Sequence, residues 1–166
     1  TDLKTLLSKQ EIWLAAACIL CGYQLFWATY SFSAYLQVNF GLSAVTVGSI
    51  TVAKLWMRPI GATAAGFLGD RFNREKVLAL LLFFSSLTLA SLTLVSTQVG
   101  SSVLIGLVLT VGILTYGVRG VFWSILESCD VEDRIKGLAL GMLSFLGFAP
   151  DFYQPLISGR FLELFP

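Results

Sequence analysis

The sequence VLALLLFFSSLTLASLTLV, residues 77–95, is an apolar run of 19 residues without one charged side chain. A helix needs about 20 such residues to cross the roughly 30 Å hydrocarbon core of a bilayer. Because a helix satisfies its own backbone hydrogen bonds in lipid, a run of this length and composition predicts a transmembrane helix.

Four more apolar runs flank this one, two before it and two after it. These runs lack both the polar face of a soluble helical bundle and the alternating pattern of barrel strands. We therefore predict an all-α integral membrane protein in which residues 1–166 form a single transmembrane domain. Its five predicted helices span about 12–36, 44–68, 77–95, 103–126 and 138–162.

The composition of the 166 residues supports the same class. Hydrophobic residues make up 56% of the chain and charged residues 13%, the formal net charge is +1, and there is no His. This chain has no basic footprint for nucleic acid, so the lipid bilayer is its expected surrounding and no nucleic-acid partner is expected. We expect no cofactor. Neither a disulfide framework nor a metal site is expected, because the cysteines are odd in number and two of the three lie within an apolar run: Cys18, Cys21 and Cys129.

The basic residues of the loops indicate an orientation. The first connection, near Asn39 to Ser43, and the third, near Gln98 to Ser101, carry no Lys or Arg. Because short cytoplasmic loops are enriched in these residues, the N-terminus is predicted to be cytoplasmic and Pro166 to lie on the opposite side. The loop residues that support this orientation are Lys4, Lys9, Arg71, Arg74, Lys76, Arg134 and Lys136.

The connection after the second helix reads GFLGDRFNREK, residues 66–76. It resembles the signature loop of the major facilitator superfamily, G-x-L-x-D-R-x-G-R-R/K. Asn73 stands where Gly is usual, and Glu75 takes a usually basic place. Asn tolerates the left-handed backbone conformation better than other non-Gly residues, so we expect the turn to survive the first exchange.

This loop is the predicted gating motif. Gly66 and Gly69 would let the end of the second helix approach a neighbour closely, and Asp70 would face the positive N-terminal end of another helix. Such a contact would close the cytoplasmic side. Arg71 and Arg74 either belong to the same latch or simply anchor the loop in the cytoplasm, and the sequence leaves both readings open.

Later runs extend the resemblance over nearly the whole chain. The run YGVRGVFW, residues 116–123, and the run GFAPD, residues 147–151, resemble the later helices of the C-terminal half in bacterial carriers of the nitrate/nitrite type. The resemblance implies helices seven to eleven of a twelve-helix carrier in the bacterial inner membrane. An N-terminal half and a last helix would then complete the protein, because such halves are built from inverted repeats of three helices.

Ionisable residues inside the predicted spans are the candidate functional residues, since a charge at a helix centre costs about 2.5–3.5 kcal/mol on insertion scales. Lys54 and Arg58 lie one turn apart and share a face of the second helix. Arg119 lies between Gly117 and Gly120, whose missing side chains would leave its guanidinium room to reach a cavity. These three cations exceed the one carboxylate predicted at the middle of a span, Asp151. The surplus favours an anionic solute unless the other half of the protein supplies the balancing charge.

Asp151 directly follows Pro150, and Pro155 follows one turn later. A proline inside a helix frees a backbone carbonyl and bends the axis, so residues 147–155 form the predicted hinge. Asp151 is either a proton-titrating group or the ion-pair partner of Lys54. Glu127 is a second acidic candidate for these roles or a solvated residue at the membrane boundary.

Tyr23, Trp27 and Tyr30 recur at helical spacing and form an aromatic stripe on the first helix. The resemblance places this helix along the central cavity, where the stripe would stack on solute or lie over a cation. Ordinary packing, or an aromatic belt at the membrane interface, is the alternative.

These features predict secondary active transport of a small anionic solute by alternating access, with the proton as the candidate coupling ion. The alternative is a transporter-like membrane sensor that binds solute without net transport. An enzyme is not expected, because the sequence has no His, no paired carboxylates on one helix and no nucleophile beside a base. The predicted substrate-binding residues are Lys54, Arg58, Arg119, Tyr23, Trp27 and Tyr30.

Overall fold

The computed structural model describes residues 2–95 and 100–164, which are helical almost throughout and contain no strand. The predicted all-α membrane class is confirmed. In this part of the chain four helical stretches are long and apolar enough to cross a membrane. Residues 96–99, which include part of the predicted third connection, lie outside the described residues, as does Pro166. The four stretches are Gln10–Phe40, Arg74–Leu94, Ser102–Cys129 and Asp133–Phe161.

The α-helices are numbered in chain order. They are α1 (Asp2–Ser8), α2 (Gln10–Ala28), α3 (Phe32–Phe40), α4 (Ala44–Arg71), α5 (Arg74–Leu94), α6 (Ser101–Val121), α7 (Lys136–Gly147) and α8 (Pro150–Leu164).

Helix α4 contains the second predicted span. It has 28 residues, which corresponds to about 42 Å and is long enough to cross the hydrocarbon core. Lys54 and Arg58 lower its mean hydropathy, and it is therefore absent from the four apolar stretches. That α4 crosses the membrane stays a prediction.

Two of the predicted helices change type along their length. The first is α-helical to Ala28, continues as a 3-10 segment over Thr29–Ser31 and resumes as α3. The fourth is α-helical to Val121 and then forms a 3-10 segment over Phe122–Cys129. The 3-10 helix has three residues per turn instead of 3.6. Residues on either side of each 3-10 segment therefore do not keep the angular spacing that one continuous α-helix would give them.

The fifth predicted helix is divided into α7 and α8. The break lies at Phe148 and Ala149, directly before Pro150, and the backbone N–H of Asp151 donates to the Phe148 carbonyl at 3.0 Å in a tight turn. The interruption is thus where the proline predicts it. Motion about this point stays a prediction.

The chain forms two compact units. Unit one contains residues 1–27 and 122–166, and unit two contains residues 28–121. In unit one, Gly147 at the end of α7 lies against α2, where a Cβ atom would overlap the side chain of Ile19. Asp2 and Arg134 form a bidentate ion pair in the same unit, with the shorter N–O distance at 2.8 Å.

In unit two, glycines bring α4 and α6 into close contact. A Cβ atom at Gly61 would overlap the Ile113 carbonyl, and one at Gly120 would lie 2.8 Å from the Ala62 carbonyl oxygen. Gly117 likewise lies against α4, since its Cβ would approach that of Ala65 to 3.3 Å. The prediction that Gly117 and Gly120 make room for the Arg119 guanidinium is therefore wrong, because the space they leave is filled by α4.

One end of unit two holds a buried apolar cluster. It joins the second part of the first helix to α4, α5 and α6. Its members are Phe32, Leu36, Val47, Ile50, Leu92, Leu104, Val108 and Val111.

We expect Gly61→Ala to destabilise the full-length protein by about 1–3 kcal/mol, because the added methyl meets backbone that cannot move aside. Gly48→Ala is the matched control on the same helix, since its Cβ would have nothing within 4 Å. Thermal unfolding in detergent, followed by size-exclusion chromatography, measures both. Equal stability of the two variants would contradict the close helix contact.

Candidate functional site

Asp151 is the centre of a polar cluster in unit one. It lies in the first turn of α8, where the positive end of the helix dipole favours a carboxylate. Trp27 donates from its indole nitrogen to Oδ1 at 2.8 Å, and the Tyr23 hydroxyl lies 3.0 and 3.1 Å from the two carboxylate oxygens. Hydrogen bonds to an ionised acceptor are about twice as strong as neutral ones, so these two aromatic donors hold the carboxylate in a defined position.

Three further side chains connect the same two helices, and we call them the amide cluster: Gln24, Tyr153 and Gln154. Gln24 donates from Nε2 to Gln154 Oε1 at 3.1 Å, and the Tyr153 hydroxyl donates to Gln24 Oε1 at 2.9 Å. The sequence analysis missed these residues. The available signal was an uncharged amide inside an otherwise apolar span, which marks interhelical hydrogen bonding in membrane helices.

The predicted aromatic stripe is only partly present as one surface. Tyr23 and Trp27 share a face of α2 and direct their polar atoms to Asp151. Tyr30 lies in the 3-10 segment of unit two and is exposed, because the change of helix type ends the 3.6-residue periodicity that the stripe assumed. Stacking of solute on these rings stays a prediction.

Lys54 is the buried cation of unit two, with only 7% of its surface exposed. Its Nζ donates to the Thr29 carbonyl at 3.1 Å and lies 5.2 Å from the centre of the Phe32 ring. A Cβ atom at Gly112 on α6 would come within 2.8 Å of Lys54 Cγ, so this glycine makes room for the side chain. Among the described residues of its own unit, Lys54 has no carboxylate contact.

Arg58 and Arg119 also belong to unit two. Both lie within electrostatic reach of the buried Tyr116, as does Tyr30. Arg58 is exposed and Arg119 is half-buried. Lys54, Arg58 and Arg119 are called the basic cluster below. Tyr116, which the sequence analysis did not select, lies at the start of the run 116–123.

Glu127 is exposed and lies in the 3-10 segment Phe122–Cys129. Helix α6, which carries Arg119, ends at Val121, so Glu127 does not continue its α-helical rotation. Lys136, at the start of α7, lies within electrostatic reach of Glu127 in unit one. The coupling or ion-pair role of Glu127 stays a prediction, as does the pairing of Asp151 with Lys54.

The signature loop forms a helix cap. Helix α4 ends at Arg71, and the side chain of Asn73 accepts from the backbone N–H of Lys76 at 3.1 Å, which caps α5. Asn73 has φ −71° and ψ 120°, so the expected left-handed conformation is wrong. A capping side chain is something the usual glycine lacks, and it satisfies one of the free N–H groups at the start of α5.

The gating residues make mainly local contacts. Asp70 Oδ1 accepts from Arg74 at the start of α5, with an N–O distance of 3.3 Å. A Cβ atom at Gly69 would be in ordinary contact with Val121 at 3.8 Å, whereas one at Gly66 would meet nothing within 4 Å. The close approach predicted at Gly66 is thus wrong, because the helices meet more tightly at Gly61. Arg71 is exposed, and the latch itself stays a prediction.

Within residues 2–95 and 100–164, no group of three or more His, Cys, Asp or Glu residues is arranged to hold a metal ion. The three cysteines are free thiols in this structure.

We expect Tyr23→Phe to lower the stability of the folded protein more in the wild-type background than in an Asp151→Asn background. The hydroxyl makes a charge-assisted bond of about 1.5–3 kcal/mol to a carboxylate, but a neutral bond of about 1 kcal/mol to an amide. Apparent thermal stability of the full-length protein measures this double-mutant cycle. Tyr153→Phe is the matched control, because the Tyr153 hydroxyl bonds to Gln24 and not to Asp151. This substitution should lower the stability by the same amount in both backgrounds. A cycle without coupling would show that Tyr23 does not hold the carboxylate.

Comparison with known proteins finds relatives among bacterial membrane proteins. The chain is 25% identical over 173 residues to the inner membrane protein YqcE of Escherichia coli, in a match that covers 100% of this chain and 40% of that protein. It is 27% identical to a hexuronate transporter of Bacillus subtilis, with 93% of this chain and 38% of that protein covered. It is 29% identical to the probable nitrate transporter NarT of Staphylococcus haemolyticus, with 74% and 31% covered.

No family model matches the chain, and no solved structure matches it. The chain spans at most 40% of the length of these relatives. They are named as membrane proteins and transporters, and none as an enzyme. The resemblance drawn from the signature loop is thereby confirmed, and the chain is similar to bacterial inner membrane proteins and transporters of the major facilitator type.

Proposed function

We propose that this chain belongs to the C-terminal half of a bacterial secondary carrier that moves a small organic or inorganic anion by alternating access. The observation that carries the proposal is Lys54, a buried ammonium whose contacts in unit two are a carbonyl and an aromatic ring. Neither contact neutralises a full positive charge. A bound anion would do so, which explains why so costly a residue is placed inside an apolar helix.

The rest of the basic cluster supports an anionic solute. Arg58 and Arg119 act on the same buried Tyr116 and thus lie in one region of unit two. Arg presents several donors in a planar fork that suits carboxylates and other oxyanions. Two relatives are named as a hexuronate transporter and a probable nitrate transporter, and both of these solutes are anions.

Asp151 is the proposed proton-coupling group. It is the acidic residue of the α8 break, and two aromatic donors hold its oxygens while the carboxylate remains exposed. A carboxylate in this setting can exchange a proton with a water-filled cavity. The interruption between α7 and α8 gives the helix a place to bend during alternating access.

In the proposed orientation the N-terminus and the signature loop are cytoplasmic. The Asn73 cap and the Asp70–Arg74 pair keep α4 and α5 closely connected at this end. This arrangement would let the two helices move together when the cytoplasmic side opens. Arg71, which is exposed, would then be available to the other half of the carrier or to the membrane surface.

Uptake by the full-length protein in proteoliposomes tests the proposal. With an imposed proton gradient, we expect concentrative uptake of glucuronate or nitrate, which dissipating the gradient abolishes. Asp151→Asn should lose the response to the gradient but retain exchange of internal for external solute, because exchange needs no net proton movement.

Lys54→Gln and Arg119→Lys should raise the KM at least tenfold, the effect of losing one charge-assisted hydrogen bond. Lys4→Gln, which removes an exposed charge in α1, is the matched control. Unchanged uptake in the Lys54 and Arg119 variants at normal expression would exclude the basic cluster as the anion site. Tight binding without flux under any gradient would instead establish a solute sensor.

A further inference from the structure

The amide cluster has no part in the proposed charge binding or proton coupling. Its three side chains come from α2 and α8, helices of the same unit, and all are only half-buried. Gln154 lies three residues beyond Asp151, on the adjacent turn of α8. The cluster therefore continues the polar surface that begins at the carboxylate.

The cluster keeps unused donors. The side-chain carbonyl oxygen of Gln154 accepts from Gln24, and within the described part of the chain nothing accepts from the Gln154 amide nitrogen. The Gln24 amide uses one of its two N–H groups and accepts from Tyr153. A glutamine amide offers two donors and one acceptor oxygen, so donors remain for a further partner.

Simple helix association does not account for this arrangement. An interhelical hydrogen bond in a membrane protein contributes about 0.6 kcal/mol on average, and one bond between Gln24 and Gln154 would supply it. Three polar side chains beside an exposed carboxylate are more than helix association requires. The donors that remain unused are the kind of polar group that lines a ligand subsite.

The chemistry of the cluster selects the class of ligand. A hydroxyl group both donates and accepts, and it fits amide N–H groups and carbonyl oxygens equally well. An inorganic oxyanion such as nitrate only accepts, so the Asp151 carboxylate and the amide oxygens beside it would repel it. We propose that Gln24, Tyr153 and Gln154 form a subsite for solute hydroxyl groups, and that the solute is a polyhydroxylated organic anion of the sugar-acid class.

This proposal rests on the proposed transport of an anion, but it does not depend on which residues bind the negative charge. It assigns specificity to the amide cluster: hydroxylated acids are accepted, and anions without hydroxyl groups are discriminated against. A site built to hydrogen-bond a hydroxyl leaves its own polar groups unpaired when that hydroxyl is missing, and this is the basis of the discrimination.

The test pairs a change in the protein with a change in the solute. Wild-type full-length protein and Gln154→Met are compared for uptake of glucuronate, galacturonate and gluconate, and of monodeoxy analogues of the acid with the lowest KM. In the wild type, removing the hydroxyl that the cluster binds should raise the KM about tenfold. In Gln154→Met the KM of the parent acid should rise by a similar factor. Removing that hydroxyl from the solute should then raise the KM of this variant no further. Gln37→Met, which changes an exposed glutamine in α3, is the matched control.

The outcomes separate the subsite from the proposed function. If Gln154→Met raises the KM of every deoxy analogue by the same factor as that of the parent acid, the cluster only packs the helices and the subsite is wrong. If the wild type takes up nitrate and binds none of the three hydroxylated acids, transport of an anion stands and the subsite is overturned. If the acids bind to detergent-solubilised protein and Gln154→Met weakens that binding, but no flux occurs, the subsite stands and the carrier assignment fails.

Discussion

Irregular backbone inside apolar helices is the constraint on which the rest of this structure depends, because a carbonyl that loses its helical partner in lipid has no water to bind. In the 3-10 segment after α2, the Thr29 carbonyl accepts from the backbone N–H of Phe32 and also from Lys54 Nζ. At the break before α8, Pro150 has no N–H, and the chain turns tightly so that Asp151 donates to Phe148. Asp151 thus lies beside one irregular segment, and Lys54, from within α4, donates to the other.

The helical framework could be predicted from the sequence because apolar length is a direct consequence of bilayer thickness. The run 77–95 differs from α5, Arg74–Leu94, by at most three residues at either end. The 3-10 segments could not be predicted in the same way. The segment Phe122–Cys129 is largely apolar like the helix before it, and the average hydropathy of a run does not distinguish three residues per turn from 3.6. Only Pro150, whose ring and missing N–H act on the backbone itself, marked a break in advance.

Some residues of the candidate site could be predicted from the sequence and others could not. Charged residues such as Lys54 and Asp151 could be found because burial of a charge is costly enough to need a reason. Gln24 and Gln154 carry no charge, so their importance becomes visible only when α2 and α8 place them together. Asn73 shows the opposite error. A conformation was carried over from the glycine of the resembling motif, although an asparagine brings a capping side chain of its own.

Lys54 and Gly112 are best understood as one device. The glycine leaves a slot on α6 that accepts the aliphatic stem of the lysine, and that slot directs the ammonium toward Thr29 and Phe32. A guanidinium is planar, larger and needs several acceptors in one plane, so the slot suits the compact ammonium of Lys in particular. The carbonyl and the ring compensate part of the cost of burying the ammonium. The position of this cation is therefore set by the packing of α4 on α6, which explains why the glycines that bring those helices together matter as much to the site as the charges within it.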